Sequence, residues 1–487
     1  MSTSIDRRTE PRGTGTPVQS EPSEPTRESL PSTSRSADPT PTLGNRRQFF
    51  RSVAATTALA SSVVCELPGN AAESQATPST KSDHPSSRST DQVTIHTKRD
   101  WVVRVMGTHV TLQEELRQRA EKDLGIRLVF NPGGSAEVLH NASTRPESFD
   151  LYEQWSNSIR VLWQAKAIQP IEIHRIRLWE EINALTKTGS LVPGVPKGDG
   201  DAPNQILYVQ ADGSLGSDAS SQVSFLPYVH NADSYGYNAN VIPRGVPYET
   251  ESWGWLLDPQ HHGKVAIVNA PTIGLFDLAL AVQAQGWMKF DNIGNLRRDE
   301  LDRLFGLLRP LRRDGHFRGV WSSVPASVRM MRRGESVLGS MFSPAVFELQ
   351  RQDIPCVYAS PKEGYRAWHG VMCVSSAISD EAKDAAYEYM NWWLSGWPGA
   401  FIARQGYYIS NPQRSRSELT PAEWDYWYEG KPASDDLVGT AGEVVVRRGA
   451  VRDGGSYEKR FSNIAVWNTV MPTYEYSLRL WNDFLSS

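Results

Sequence analysis

FLPYVHNADSYGYN, residues 225–238, is the stretch on which the reading of this chain turns. It follows a polar, glycine-rich loop (196–222), and Pro227 and the small pair Gly236 and Asn238 interrupt its apolar and aromatic run. Proline fixes φ and removes a backbone donor, which argues against an ordinary central strand throughout. The stretch reads as an extended connector: a strand enters, the chain bends, and a second strand, SYGYNANVI, begins.

Strand and helix patterns alternate on both sides of it. Before it, WVVRVMG (101–107) alternates and ends at glycine, and TLQEELRQRAEKDLG (111–125) has helical spacing, with Thr111 as the N-cap and Gly125 as the stop. IRLVFNP (126–132) and SFDLYEQW (148–155) are further strands, GGSAEVL (133–139) opens a helix, and NSIRVLWQAKAIQPI (157–171) is a helix. After it, GKVAIVNA (263–270) is a strand, and 273–287 and 299–315 are helices. GESVLGSMF (334–342) ends in a strand, and 379–395 is a helix capped by Ser379. Short links between such elements imply a parallel sheet covered on both faces. The expected fold is α/β, and in such sheets ligands bind at the strands' C-terminal ends.

A chain of 487 residues accommodates two or three domains, and a net charge of −4 offers no global basic field for nucleic acid. Sixteen Trp and 17 Tyr serve packing between and within lobes, and flat aromatic faces also hold ligands. Residues 1–44 are poor in large apolar side chains and read as disordered, or as upstream of a mis-assigned start. NRRQFFRSVAATTALASSVVC (45–65), within a signal region 45–72, pairs Arg46 and Arg47 with a short apolar run. This is the pattern of twin-arginine export to the periplasm. The run Val53–Val64 falls short of the roughly 20 residues that span a bilayer. Val63 and Val64 precede Cys65 where a lipoprotein signal wants a small residue, which disfavours lipid anchoring there. Residues 73–92 read as a tether, with folded structure from Val93. Cys356 and Cys373 lie in apolar strand-like runs, where buried free thiols are expected and a disulfide is the alternative.

PYVHNADSYGYN resembles the segment by which periplasmic spermidine/putrescine-type solute receptors of ABC importers cross between lobes. ESWGWLLDPQHHGKVAI (251–267) resembles that family's surface helix and following strand. GESVLGSMFSPAVFELQ (334–350), ASPKEGYRAWHGVMCVSSAIS (359–379) and ARQGYYISNP (403–412) follow in the same order, so the resemblance runs from about residue 98 to the end. It implies two lobes about a central cleft, hinged by two crossing strands, with lobe one over 93–228 and 368–405, lobe two over 229–367 and 406–487, and the tail 420–484 packed on lobe two. It implies a non-enzymatic, monomeric receptor without cofactor or metal, which traps a small-molecule ligand and delivers it to an inner-membrane permease.

The resemblance places several residues in the cleft. Thr108 and His109 follow the first strand, after Met106 and Gly107, and Trp155, Ser156 and Asn157 end the third. His230 and Asp233 lie in the connector, and Asn269 and Thr272 follow the strand of 263–270. Phe342 and Ser343 come next, then Arg366, Trp368 and His369 in the second crossing, and finally Tyr407 and Asn463. Two stretches depart from the family: NAPTIG (269–274) and AWHGVM (367–372) carry no acid where polyamine receptors hold ammonium groups. Asp233 and Glu153 are the remaining candidate carboxylates, whereas Arg366, His369 and the amides of Gly133, Gly134 and Ser135 suit an anionic or zwitterionic ligand. The rival readings are an exported oxidoreductase or hydrolase, and the binding subunit of a sensor. The chain lacks G-x-G-x-x-G, C-x-x-C, H-E-x-x-H and G-x-S-x-G motifs, which weighs against the enzyme.

Overall fold

The computed structural model describes residues 101–487. The expected extension, signal region with Cys65, and tether lie outside the described residues. β1 (Val102–Gly107), α1 (Glu114–Leu124), β2 (Arg127–Pro132), α2 (Ser135–Thr144) and β3 (Leu151–Trp155) follow one another as the spacing predicts. β1 lies between β2 and β3, parallel to both. Gly125 stops α1 at φ 66°, a left-handed conformation that glycine adopts without a Cβ penalty. Thr111 does not cap α1; its hydroxyl instead meets that of Tyr228 at 3.2 Å. The long helix expected over 157–171 is also shorter, a 3-10 turn (Ser156–Ser158) and a helix (Ile159–Gln164). Lys166 takes φ 55° just beyond, and Ile168 starts a strand.

The connector is not two strands with a bend but one continuous strand, β4 (Leu226–Asn238). Pro227 lies near its start, and the ladder shifts register between Pro227 and His230, so a bulge absorbs the missing donor. Val229 and His230 pair there with the short strand Tyr408–Ile409. The segment at 251–267 holds a largely buried 3-10 turn, Trp253–Leu257, where a surface helix was expected, because the Trp253 indole donates to the Gly364 carbonyl at 2.8 Å.

A second parallel group follows: β5 (Val265–Val268), α3 (Pro271–Ala284), α4 (Arg298–Arg313), β6 (Phe317–Trp321), β7 (Leu338–Met341) and α5 (Ser343–Arg351), with β5 between β6 and β7. Then come β8 (Tyr365–Ser375), α6 (Asp380–Trp393), β9 (Ile464–Trp467) and α7 (Tyr474–Ser486). The strand order is β6-β5-β7-β4-β8-β3-β1-β2. β4 pairs antiparallel with β8 over Leu226–Asp233 and with β7 over Ser234–Tyr237. β8 pairs with β3 over Gly370–Val374 and with β9 over Tyr365–Ala367. Each of these two strands therefore has one end in each half of the sheet.

The apolar packing divides at the same place. Tyr228, Val229 and Val371 join the cluster built on Val103, Leu151 and Leu162, whereas Tyr235 and Tyr237 join the cluster built on Val265, Phe305 and Trp481. A third cluster, with Tyr408, Trp427, Tyr457 and Phe461, encloses Ala232 and Ala367 between them. Cys356 and Cys373 are both buried and unpaired.

Glu153 in β3 is fully buried, with the Tyr228 hydroxyl donating to its Oε2 at 3.2 Å. Burial pushes its carboxyl from 4.5 up to about 7, against smaller pulls from Thr111, Tyr228 and Tyr389. Between those two pH values the folded chain holds a proton that the unfolded chain has lost, so stability falls as pH rises through the window, by roughly 3 kcal/mol from this group. Glu153→Gln removes the ionisable group. Thermal melts should place the variant above the parent at pH 8 and level with it at pH 5; equal midpoints at both pH values would contradict a buried, protonated Glu153.

Candidate functional site

A cavity of about 920 Å³ opens where the two halves of the sheet meet. Its walls come from loops after β1, β3 and β5, from the first turns of α2, α3 and α5, from β4 and β8, and from 468–479. Thr108 and His109 line it after β1, and Trp155 and Asn157 line it after β3. From the other half come Thr272, Phe342 and Ser343, and from the crossing and its flank come Asp233, Trp368 and Tyr407. All of these are positions read from the sequence.

The alternation of side chains along β4 and β8 decides which crossing residues reach the cavity. The ladder aligns His230 with His369, Asn231 with Trp368, Ala232 with Ala367, and Asp233 with Arg366. Successive strand residues point to opposite faces, so Asn231, Asp233, Arg366 and Trp368 share one face and His230, Ala232, Ala367 and His369 the other. His230 and His369, expected in the site, are therefore not in its wall. Their rings stack at 5.1 Å on the opposite face, where His230 Nε2 meets the Tyr457 hydroxyl at 2.8 Å. Burial lowers both imidazoles, His369 to about 4, so both are neutral at pH 7.

Arg366 shares the cavity-facing side but does not reach the cavity. Its Nε donates to Asp277 Oδ1 at 2.7 Å, Nη1 stands 3.6 Å from Asp233 Oδ2, and its side chain has no exposed area. Asp277 in α3 also accepts from Ser340 at 2.7 Å. The expected grip on a ligand carboxylate is thus replaced by an internal ion pair, because two buried carboxylates already enclose the guanidinium. Asp233 does form part of the wall, with the Tyr358 hydroxyl donating to its Oδ1 at 3.0 Å. Burial, the largest influence on Asp233, raises its carboxyl against the pull of Arg366.

Three further expected positions lie off the wall. Ser156 is buried in the turn after β3, and Asn269 accepts from the Trp481 indole at 3.3 Å. Asn463 donates to the Lys459 carbonyl at 2.7 Å, so the tail's contribution comes instead from Asn468 and Thr469, just past β9. Glu153 is likewise off the wall, buried beside the hydroxyls of Tyr228, Thr111 and Tyr389. Sequence reasoning missed Arg160 and Asp201, which line the cavity and pair at 2.9 Å, with Thr469 donating to Asp201 Oδ2 at 2.7 Å. Nothing in the GDGDAPN loop marks Asp201, since its partner lies 41 residues earlier.

Aromatic faces supply much of the remaining wall. Trp155 and Trp368 meet edge to face with centroids 4.5 Å apart, and Tyr407 stands 5.7 Å from Trp368. Such surfaces hold cations or apolar stems, at roughly 0.5–2 kcal/mol per cation–π contact. α2, α3 and α5 all begin at the cavity without a side-chain cap, but prolines in the first turns of α3 and α5 leave only the Thr272 and Ser343 amides there, so the first turn of α2 is the fullest donor set. Among the described residues, no group of three or more His, Cys, Asp or Glu is arranged to hold a metal.

Comparison with known proteins agrees with this architecture. The family model described as bacterial extracellular solute-binding protein matches residues 116–425. The substrate-binding protein PotD of a spermidine/putrescine ABC transporter from Streptococcus pneumoniae superposes with a TM-score of 0.53 at 13% identity, covering 79% of this chain and 98% of that one. The Tp0655 (TpPotD) lipoprotein of Treponema pallidum gives 0.55 at 11% identity, covering 79% of this chain and all of its own. Identities this low establish the shared two-lobed fold and nothing about the ligand. No curated protein matches the sequence.

Arg366→Met tests the internal role of the guanidinium. It strands Asp277 without a buried counter-charge and removes the nearest one from Asp233, and loss of one partner from such a group costs about 3–5 kcal/mol. Urea titration should show that loss, and adding Asp277→Asn should recover part of it. Full stability with only ligand affinity reduced would return Arg366 to the ligand.

Proposed function

Because the chain belongs to the bacterial extracellular solute-binding proteins, we propose that it is the capture component of an ABC importer, holding a small polar solute between its two halves and closing over it. The observation that carries this reading is the cavity at the double crossing of β4 and β8, walled by both halves of the sheet. Members of the family bind solutes without transforming them, so the chain is not an enzyme, and its place is outside the cytoplasm. The twin-arginine pattern at 45–65 supports export by that route to the periplasm. The neighbour named as an ABC transporter substrate-binding protein supports delivery to a membrane permease, with the closed pair of lobes as the docking face.

The lobe boundaries fall at the crossing, where packing passes from the cluster of Tyr228 and Val229 to that of Tyr235 and Tyr237. The ligand contacts that we assign are Thr108, His109, Trp155, Asn157, Asp233, Thr272, Phe342, Ser343, Trp368 and Tyr407, all in the wall. A solute reaching Trp155 and Trp368 from one side and Thr272 and Ser343 from the other bridges the halves, so binding and closure are coupled.

Mass spectrometry of the protein, purified natively and then denatured, should release a stoichiometric small solute. Adding that solute back to stripped protein should lower the radius of gyration in X-ray scattering. Asp233→Ala should weaken its binding at least tenfold. No released solute, and no change of radius or melting temperature with periplasmic extract, would sink the receptor reading.

A further inference from the structure

Resting on that receptor reading, we propose that the cleft selects a zwitterion: a small solute with one cationic nitrogen and one carboxylate held a few carbons apart, in preference to a diamine of the same length. The buried carboxylates of the wall carry the argument; the charged groups Arg298, Glu475 and Arg479, which also line it, are exposed. Asp201 is matched by Arg160 at 2.9 Å and by the Thr469 hydroxyl. Arg366 gives its 2.7 Å contact to Asp277, whereas Asp233 stands 3.6 Å from Nη1 and takes no hydrogen bond from the guanidinium. Arg460, fully buried, gives its hydrogen bonds to the carbonyls of Ala232 and Asp453 and none to Asp233, although its charge also acts on that carboxylate. The floor of the cavity therefore accommodates one added cation at Asp233, beside the aromatic pair Trp155 and Trp368. A second ammonium of a diamine meets no further unmatched buried carboxylate, and stripping its water without a partner is unfavourable.

The flank beyond the tryptophans has the opposite character. Thr108 lies in its wall, only 6% exposed, and its Oγ1 has no hydrogen-bond partner among the described residues. Beside it the first turn of α2, at Ser135 and Ala136, lines the cavity without a side-chain cap. His109 and His140 line the same flank, and His140 Nδ1 is buried without a partner among the described residues. Glu137, the acid of that turn, is not part of the wall. Hydroxyl, amides and imidazoles supply the donors that a carboxylate requires, and none of them neutralises a cation.

Sheet geometry sets the distance between the two ends. Thr108 follows β1, Trp155 ends the adjacent β3, and Trp368 lies in β8 next to β3. One to two strand spacings separate Thr108 from the tryptophans, roughly 5–10 Å. An α-amino acid carries both charges on one carbon and spans less than this. An ω-amino or ω-trimethylammonio acid spans it.

Putrescine, 4-aminobutyrate and succinate test the assignment, because they share a four-carbon chain and differ only in the charges at its ends. Calorimetric titration of the exported chain, stripped of bound solute, should give 4-aminobutyrate at least tenfold tighter than either of the others. Thr108→Val should leave the melting temperature of the stripped protein unchanged, since the hydroxyl has no partner within the protein. It should weaken 4-aminobutyrate at least fivefold and leave putrescine alone. Putrescine binding as tightly as 4-aminobutyrate overturns the zwitterion class and leaves the receptor reading standing; succinate binding tightest does the same. If none of the three binds at 10 mM the class is overturned too, while a solute released on denaturation would still uphold the receptor.

Discussion

The placement of Arg366 between Asp233 and Asp277 is the constraint on which the rest of the molecule depends. The three side chains come from a crossing strand of each direction and from the helix that follows β5, so one buried guanidinium joins elements far apart in sequence. Two carboxylates and one guanidinium buried together hold only at close range and with good geometry. The Nε contact to Asp277 at 2.7 Å and the Ser340 hydroxyl on the same carboxylate provide it. The angle at which β4 and β8 leave one half and enter the other is held by this contact as much as by the ladder between them. The cavity floor is the exposed edge of the same group, so the feature that orders the crossing also gives the site its charge.

The two faces of the crossing ribbon then divide the work. One carries polar and aromatic side chains toward the cavity, and the other carries His230, Ala232, Ala367 and His369 into the aromatic body of Tyr408, Tyr457 and Phe461. Small residues at 232 and 367 let that body approach closely, and the neutral imidazoles pack as flat rings. A protonated histidine there would bring an unmatched charge into an apolar layer. This explains why residues one position apart in the connector have unrelated roles.

Much of this was legible in the sequence, and the rest was hidden for definite reasons. Strand and helix periodicities located β1 to β3 and β5, α1, α3, α4 and α6, since each is governed by its own burial pattern. The crossing was legible through the order of motifs. Pro227 misled, because a proline near a strand's start can be absorbed by a bulge that no local pattern announces. His230 and His369 were misplaced because motif order gives a position along the chain, and face follows from register, which only the pairing reveals. Arg160 with Asp201, and Asn468 in place of Asn463, depend on long loops whose course no periodicity records.

The same register limits how the two halves can move. Across the crossing the ladder from His230 to Asp233 is unbroken, its far face is packed in aromatic rings, and its near face is tied by Arg366. Bending there would break backbone bonds and separate buried charges together. The register irregularities lie outside it, between Pro227 and His230 on β4 and between Tyr365 and Arg366 where β8 meets β9. A bulge has already surrendered regular pairing, so a change of φ and ψ costs least at such points. In the closure proposed above, a change of angle between the halves would be absorbed at the two ends of a stiff ribbon. The floor with Asp233 and Trp368 would keep its geometry while the walls approach, and a solute could be recognised at the floor before closure over it.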